Sequence, residues 1–158
     1  MISSQRACVV QFGQFTVGVA GAYTRQVYSL TDLRRAPRTA SALLGLFALR
    51  SQVIPIVALE PLLHLPIPKH EFAVQLEFET RNFGIGIDAA LGFVTFEAAA
   101  ITLSPVLEPI CQGGMRYAGG IIPMLSLPKV LEELSAVFAP QSSQVVFAAP
   151  INSNRVLS

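Results

Sequence analysis

The sequence predicts a mainly β protein made of two similarly built β units, closed by one C-terminal helix. Three observations predict it. First, short apolar runs alternate with period two, most clearly Phe72, Val74, Leu76 and Phe78 against Ala73, Gln75, Glu77 and Glu79. That pattern marks a strand with one face buried. Second, segments return at one offset, the 68 residues from Gly45 to Gly113. At that offset Val53-Ile54-Pro55 matches Ile121-Ile122-Pro123, Leu59 matches Leu127, and Phe15-Thr16-Val17-Gly18-Val19 matches Phe83-Gly84-Ile85-Gly86-Ile87. Third, helical spacing is clear only near the end, over Pro128–Phe138. A repeat of this length reads as a duplicated small domain. The expected units are residues 5–65 and 72–139 of a single domain 1–139, followed by an extension 140–158.

In chain order, Ala7–Phe12 and Phe15–Val19 read as strands joined across Gly13-Gln14, a pair suited to a tight turn. Gly21-Ala22-Tyr23 makes a corner before Gln26–Leu30. The polar stretch Thr31–Arg38, with Arg34, Arg35, Pro37 and Arg38, reads as a basic loop. Ala40–Leu44 is expected to make one helical turn. Next, the apolar arms Leu46–Leu49 and Val53–Leu59 flank Arg50-Ser51-Gln52, the pattern of a hairpin. Pro55 cannot donate a ladder hydrogen bond and is expected at an edge or bulge. Pro61 suits the first turn of a short helix after Leu59.

Leu65–His70 carries two prolines and is expected to be a linker. Beyond Phe72–Phe78, Asn82–Ile87 is expected to pair back across Thr80-Arg81-Asn82. Leu91–Phe96 follows as a third strand, and Ala98–Pro109 as an irregular connection. In the final helix Leu127, Val130, Leu131, Leu134, Val137 and Phe138 share one face, with Lys129, Glu132, Glu133 and Ser135 on the other. Pro140 is expected to stop it. The tail contains Val145-Val146-Phe147, which fits either an added edge strand or a mobile segment.

Composition bounds the function. The chain of 158 residues is 52% hydrophobic and 13% charged, about half the usual charged share of ~25%. Apolar surface left over from the core would serve partners. A net charge of +1 argues against nucleic acid as a partner, because phosphate binding needs a basic face. Arg50, Gln52 and Pro55 interrupt one apolar run, and Asp88 and Glu97 another, so direct membrane insertion is not expected. Met1–Ala7 has no signal-peptide core, and a cytoplasmic protein is expected.

Cys8 and Cys111 lack CxxC spacing and are expected as buried thiols. His64 and His70 have no Cys, Asp or His at ligand spacing, so no metal site is expected. Gly84–Ala89 matches GxGxxA formally, but Ile85 and Ile87 alternate like a strand and no βαβ pattern follows. Without a nucleophile elbow or P-loop, no catalytic residue, no cofactor and no enzymatic activity is expected.

Three segments stand together in order and spacing: Gly45-Leu46-Phe47-Ala48-Leu49-Arg50-Ser51-Gln52-Val53-Ile54-Pro55-Ile56-Val57-Ala58-Leu59, then Gly84-Ile85-Gly86-Ile87-Asp88, then Gly119–Leu127 with its following helix. On these segments the chain resembles the CheW family of bacterial chemotaxis coupling proteins, as a divergent member. The resemblance implies two packed, five-stranded SH3-like β-barrels. It implies a non-enzymatic adaptor that bridges the cytoplasmic tip of chemoreceptors to the regulatory domain of a CheA-type histidine kinase, in receptor arrays at the inner membrane. By carry-over, Arg50 falls at the contact with receptor and kinase. Thr24, Gln26, Phe72 and Gly84 fall where the receptor docks, and Gly45 and Leu46 where the kinase domain faces.

Departures from the family signature put Ala48 in place of Asn, Ser51 of Gly, Ala58 of Asp, and Gln26 of a Glu that commonly faces the family Arg. They either free the Arg50 guanidinium for an external acidic group or signal a weakened interface, and they point towards pilus motility or another accessory pathway. The competing expectation is a small β-barrel ligand-binding module or enzyme with its site between the barrels.

Overall fold

The alternating runs become strands in a computed structural model that describes residues 5–35 and 42–135. In order these are β1 (Gln5–Phe12), β2 (Phe15–Ala20), β3 (Thr24–Ser29), β4 (Arg34–Arg35), β5 (Leu43–Leu49) and β6 (Gln52–Val57). Then come β7 (Phe72–Phe78), β8 (Arg81–Ile87), β9 (Ala89–Phe96), β10 (Ala98–Ala99), β11 (Cys111–Tyr117) and β12 (Gly120–Leu125). A 3-10 turn covers Glu60–Leu63, with Pro61 in its first turn as expected. A helix, α1, occupies residues 127–135. It begins where Ser126 Oγ accepts the Lys129 backbone N–H at 3.3 Å, an N-cap that satisfies one otherwise orphaned donor. The expected helix end at Pro140, the tail with Val145-Val146-Phe147, and Pro37 and Arg38 lie outside the described residues.

Two sheets form. Sheet 1 has the order β10-β11-β12-β2-β1-β9, and sheet 2 the order β3-β7-β8-β6-β5-β4. Each holds five longer strands and one of two residues, which is the expected pair of β units with a C-terminal helix.

The duplication is visible strand by strand. Read from β4, sheet 2 runs β4-β5-β6-β8-β7-β3, and sheet 1 read from β10 runs β10-β11-β12-β2-β1-β9. Every strand takes the place of its repeat except that the leading hairpins, β1–β2 and β7–β8, have changed sheets. Sheet 1 thus combines residues 5–20 with 89–125, and sheet 2 combines 24–57 with 72–87. The sheets therefore do not coincide with the expected units 5–65 and 72–139.

The physical reason lies in the core. The exchanged hairpins turn their second faces towards each other, so Cys8, Val10, Phe12, Val17 and Val19 meet Val74, Leu76, Phe83, Ile85 and Ile87. Leu59, which precedes the 3-10 turn, and Leu62 and Leu63 within it, with Leu127, Val130 and Leu134 of α1, seal the same core. Burying one such side chain contributes about 1.5–3 kcal/mol, and this core holds the largest group of them. One smaller cluster fills the inside of each sheet: Leu30, Phe47, Ile54, Ile56 and Ala73 in sheet 2, and Ala7, Val9 and Met115 in sheet 1.

Local corrections follow from the same packing. Part of the expected basic loop, Arg34–Arg35, forms a short edge strand paired with Leu46 and Gly45. Leu43 and Leu44 belong to β5, not to a helical turn. In β7 both faces are covered, Gln75 included, because the strand is sandwiched between the inside of sheet 2 and the intersheet core. The β7–β8 turn is Glu79-Thr80, both at positive φ. Gly84–Ile87 is strand, as the alternation requires.

Candidate functional site

The β5–β6 hairpin closes with Leu49 opposite Gln52, leaving Arg50-Ser51 as a two-residue turn. Such turns match strand twist when their residues take positive φ, and Arg50 does so at 58°. Its side chain is exposed, and no carboxylate pairs with it among the described residues. One face of the hairpin, with Phe47, Ile54 and Ile56, is buried inside sheet 2. The opposite face is also apolar yet faces water: Val53 is 65% exposed and Leu46 44%. Ala48 lies opposite Val53, and Pro55 opposite Leu46. An antiparallel hairpin normally alternates apolar and polar, so a second apolar face in water departs from that pattern.

Beside this hairpin four side-chain amides cross the sheet. Gln26 Nε2 donates to Gln75 Oε1 at 3.0 Å, Gln75 Nε2 donates to Asn82 Oδ1 at 2.8 Å, and Asn82 Nδ2 donates to Gln52 Oε1 at 3.2 Å. The strands involved, β3, β7, β8 and β6, are consecutive in sheet 2. Gln26 therefore serves an amide ladder that ends at Gln52, two residues from Arg50. Beneath it Tyr28 stacks on Phe47 with ring centroids 4.6 Å apart. Its hydroxyl is buried without a hydrogen-bond partner among the described residues, and burial pushes its pKa up to about 12.

All the sequence-predicted site residues lie in sheet 2 or its turns, but they do not form one cluster. Arg50 and Leu46 belong to the β5–β6 hairpin, whereas Gln26 and Thr24 lie on β3, with β7 and β8 between it and β6. Thr24 is buried, and its hydroxyl donates to the Ala20 carbonyl at 2.9 Å, so it shapes the β2–β3 corner. Gly84 is buried under Tyr28 and Ile56, where a β-carbon would crowd both. Gly45 lies against the Arg34 carbonyl. Phe72 is 38% exposed but starts β7 at the far end, opposite Ile87.

Sequence reasoning missed two features. His70, expected in an open linker, is buried and bonded through both ring nitrogens to Glu60 and Asp88. Its partners are 10 and 18 residues away, outside any ligand-spacing pattern. Lys129 Nζ donates to the Cys111 carbonyl at 2.7 Å and the Glu108 carbonyl at 3.0 Å, tying α1 to the segment before β11.

A cavity of about 750 Å³ also opens where sheet 1 meets Tyr23 and Phe78, floored by Ala98, Ala99 and Gly114. No charged residue lines it, so it offers shape and apolar contact but no acid–base chemistry. The space between the sheets, where the competing reading put a ligand site, is filled by the main core. Among the described residues no group of His, Cys, Asp and Glu could hold a metal. No described helix is long and apolar enough to cross a membrane.

The family model described as CheW-like domain matches residues 6–135. No curated protein matches the chain. Among solved structures the chain is similar to the scaffolding protein TtCheW from Thermoanaerobacter tengcongensis, with a TM-score of 0.67 at 14% identity, over 79% of this chain and 90% of that one. At that identity the likeness speaks for the fold.

Proposed function

The chain belongs to the CheW-like domain family, and from that premise we propose that it is a non-enzymatic adaptor coupling a chemoreceptor tip to a CheA-type histidine kinase. The observation that carries this reading is the β5–β6 hairpin, apolar on its solvent face and tipped by an Arg50 without an ion-pair partner among the described residues. A surface of this kind gains free energy only when another protein covers it. Exposed Leu46 and Val53 supply apolar contact, and Arg is enriched among interface residues whose truncation costs about 2 kcal/mol or more.

Within that reading Arg50, Gln26 and Leu46 touch partners directly. Thr24, Gly45 and Gly84 act by shaping the corner, the β4–β5 edge and the floor under Tyr28. Phe72, at the other end of β7, belongs to a second contact. A helical receptor tip would lay an apolar stripe along such a surface, and the kinase regulatory domain would face Gly45 and Leu46. The adaptor would work in the cytoplasm at receptor arrays on the inner membrane. A Gln in place of the family Glu at position 26 supports service in a pilus-motility or accessory system, since the ladder it joins is neutral.

The test is calorimetry of the full chain against a receptor-tip peptide and, separately, the kinase regulatory domain. Micromolar binding to either is expected. Arg50→Glu should abolish kinase capture with an unchanged circular dichroism spectrum, and unaltered capture by that variant would remove Arg50 from the interface.

A further inference from the structure

We propose that Glu60, His70 and Asp88 form a proton-dependent clasp, which holds the β1–β2 turn of sheet 1 against sheet 2 while His70 is an imidazolium. With both carboxyls ionised, the geometry calls for the charged ring. His70 Nδ1 lies 3.0 Å from Asp88 Oδ1, and Nε2 lies 3.0 Å from both Glu60 oxygens. Carboxylates only accept, and an imidazole offers two N–H donors only when protonated. A neutral ring would turn one lone pair against a carboxylate. The ring is fully shielded from solvent and the Glu60 side chain is 4% exposed. Losing the proton would therefore strand a buried charge, and breaking a buried pair in this way is strongly destabilising.

The clasp reaches the other sheet through Asp88. While Oδ1 meets His70, Oδ2 accepts the Gly13 backbone N–H at 2.7 Å, and the Asp88 backbone N–H donates to the Gln11 carbonyl at 2.8 Å. Gly13 is the turn residue between β1 and β2, and Asp88 follows β8 directly. Glu60 opens the 3-10 turn after β6, and His70 stands two residues before β7. One ring thus fastens the two exchanged hairpins to each other.

The groups around the ring leave its charge to these two carboxylates. On the β8 side it packs over Gly86, with Leu44 of β5 beside the same glycine, both uncharged. Arg35, Lys69 and Glu71 line an adjoining cavity of about 450 Å³ but are exposed. None of the three pairs with Glu60 or Asp88 among the described residues. Burial works against the ring's charge, but the Glu60 and Asp88 contacts outweigh it, and His70 holds its proton above the usual histidine range. The Asp88 side chain is 38% exposed and gives the proton a way out.

The test is a two-dimensional NMR pH titration of the full chain. His70 is expected to titrate above the usual histidine value of about 6.5, with the Gly13 amide proton shifting at the same midpoint as the His70 ring. Asp88→Asn should lower the His70 midpoint and abolish the Gly13 shift. A His70 midpoint at or below about 6.5 would overturn the clasp, as would a Gly13 resonance that stays flat through the transition. Both readouts come from the unaltered protein, so the outcome stands even if a variant folds poorly.

Discussion

The carbonyl of Arg34 lies over the α-carbon of Gly45, in the space any β-carbon would need. β4 can pair with β5 only because position 45 has no side chain, and the register shift between Leu43 and Gly45 sits at the same point. Gly45→Ala must push the β4 backbone away. Overpacking of this kind costs about 1–3 kcal/mol, and urea unfolding is expected to show a loss in that range. An unchanged midpoint would mean that the edge strand yields freely.

The amide ladder makes a different prediction, because its central member is buried. Gln75 is 5% exposed and bonds to both Gln26 and Asn82. Gln75→Ala removes a buried side chain with its two hydrogen bonds, each contributing about 0.5–1.5 kcal/mol, so a loss of about 1–3 kcal/mol is expected. Chemical denaturation should register that loss, whereas Gln52→Ala at the exposed end should stay within about 0.5 kcal/mol. Equal losses at both positions would show that the ladder has no buried centre.

At the β7–β8 turn, Thr80 sits at φ 67° and Glu79 at φ 51°. A left-handed conformation costs about 1–2 kcal/mol for a residue bearing a side chain, and β-branched residues tolerate it least. Thr80→Gly is expected to raise thermal stability by about 1 kcal/mol after the extra chain entropy of glycine is set against the relief. A lower melting temperature would mean that Thr80 makes a contact worth more than its strain.

Alkaline pH gives a prediction with a definite sign. Burial pushes the Cys111 thiol up from 9.0 to about 12, with Lys129 opposing weakly, and burial raises Cys8 in the same direction. Tyr28 is raised from 10.0 to about 12. In each case the folded state holds the proton more tightly than the unfolded chain. Their contribution to stability is complete below pH 9 and is lost as pH rises towards about 12. Unfolding free energy should therefore fall across that window. Ellman's reagent at pH 8 should find neither thiol until denaturant is added. Rapid labelling of the native protein would show that one of them is accessible.

Much of the architecture was legible because it rests on local periodicity. The Leu46–Leu49 and Val53–Leu59 arms form the expected hairpin, Phe72–Phe78 is a strand, and the helix starts at Leu127 with Ser126 as its cap. The offset of 68 residues located the repeated strands β5–β6 and β11–β12. The site was only partly legible. Arg50 and Gln26 could be singled out by their match to a family signature, but the ladder around Gln26 needs Gln75, Asn82 and Gln52, which come from three other strands.

The sequence alone determined where most of the longer strands run, which face of each is the more apolar, and that segments repeat, because alternation and repeat spacing are properties of neighbours along the chain. Only the tertiary structure decided that the leading hairpins change sheets, that Phe72 lies away from Arg50, and that His70 closes on Glu60 and Asp88. An apolar face records that it must be covered but carries no address for what covers it. That choice is made by the largest joint burial, between segments such as β1 and β8 that are far apart in the chain.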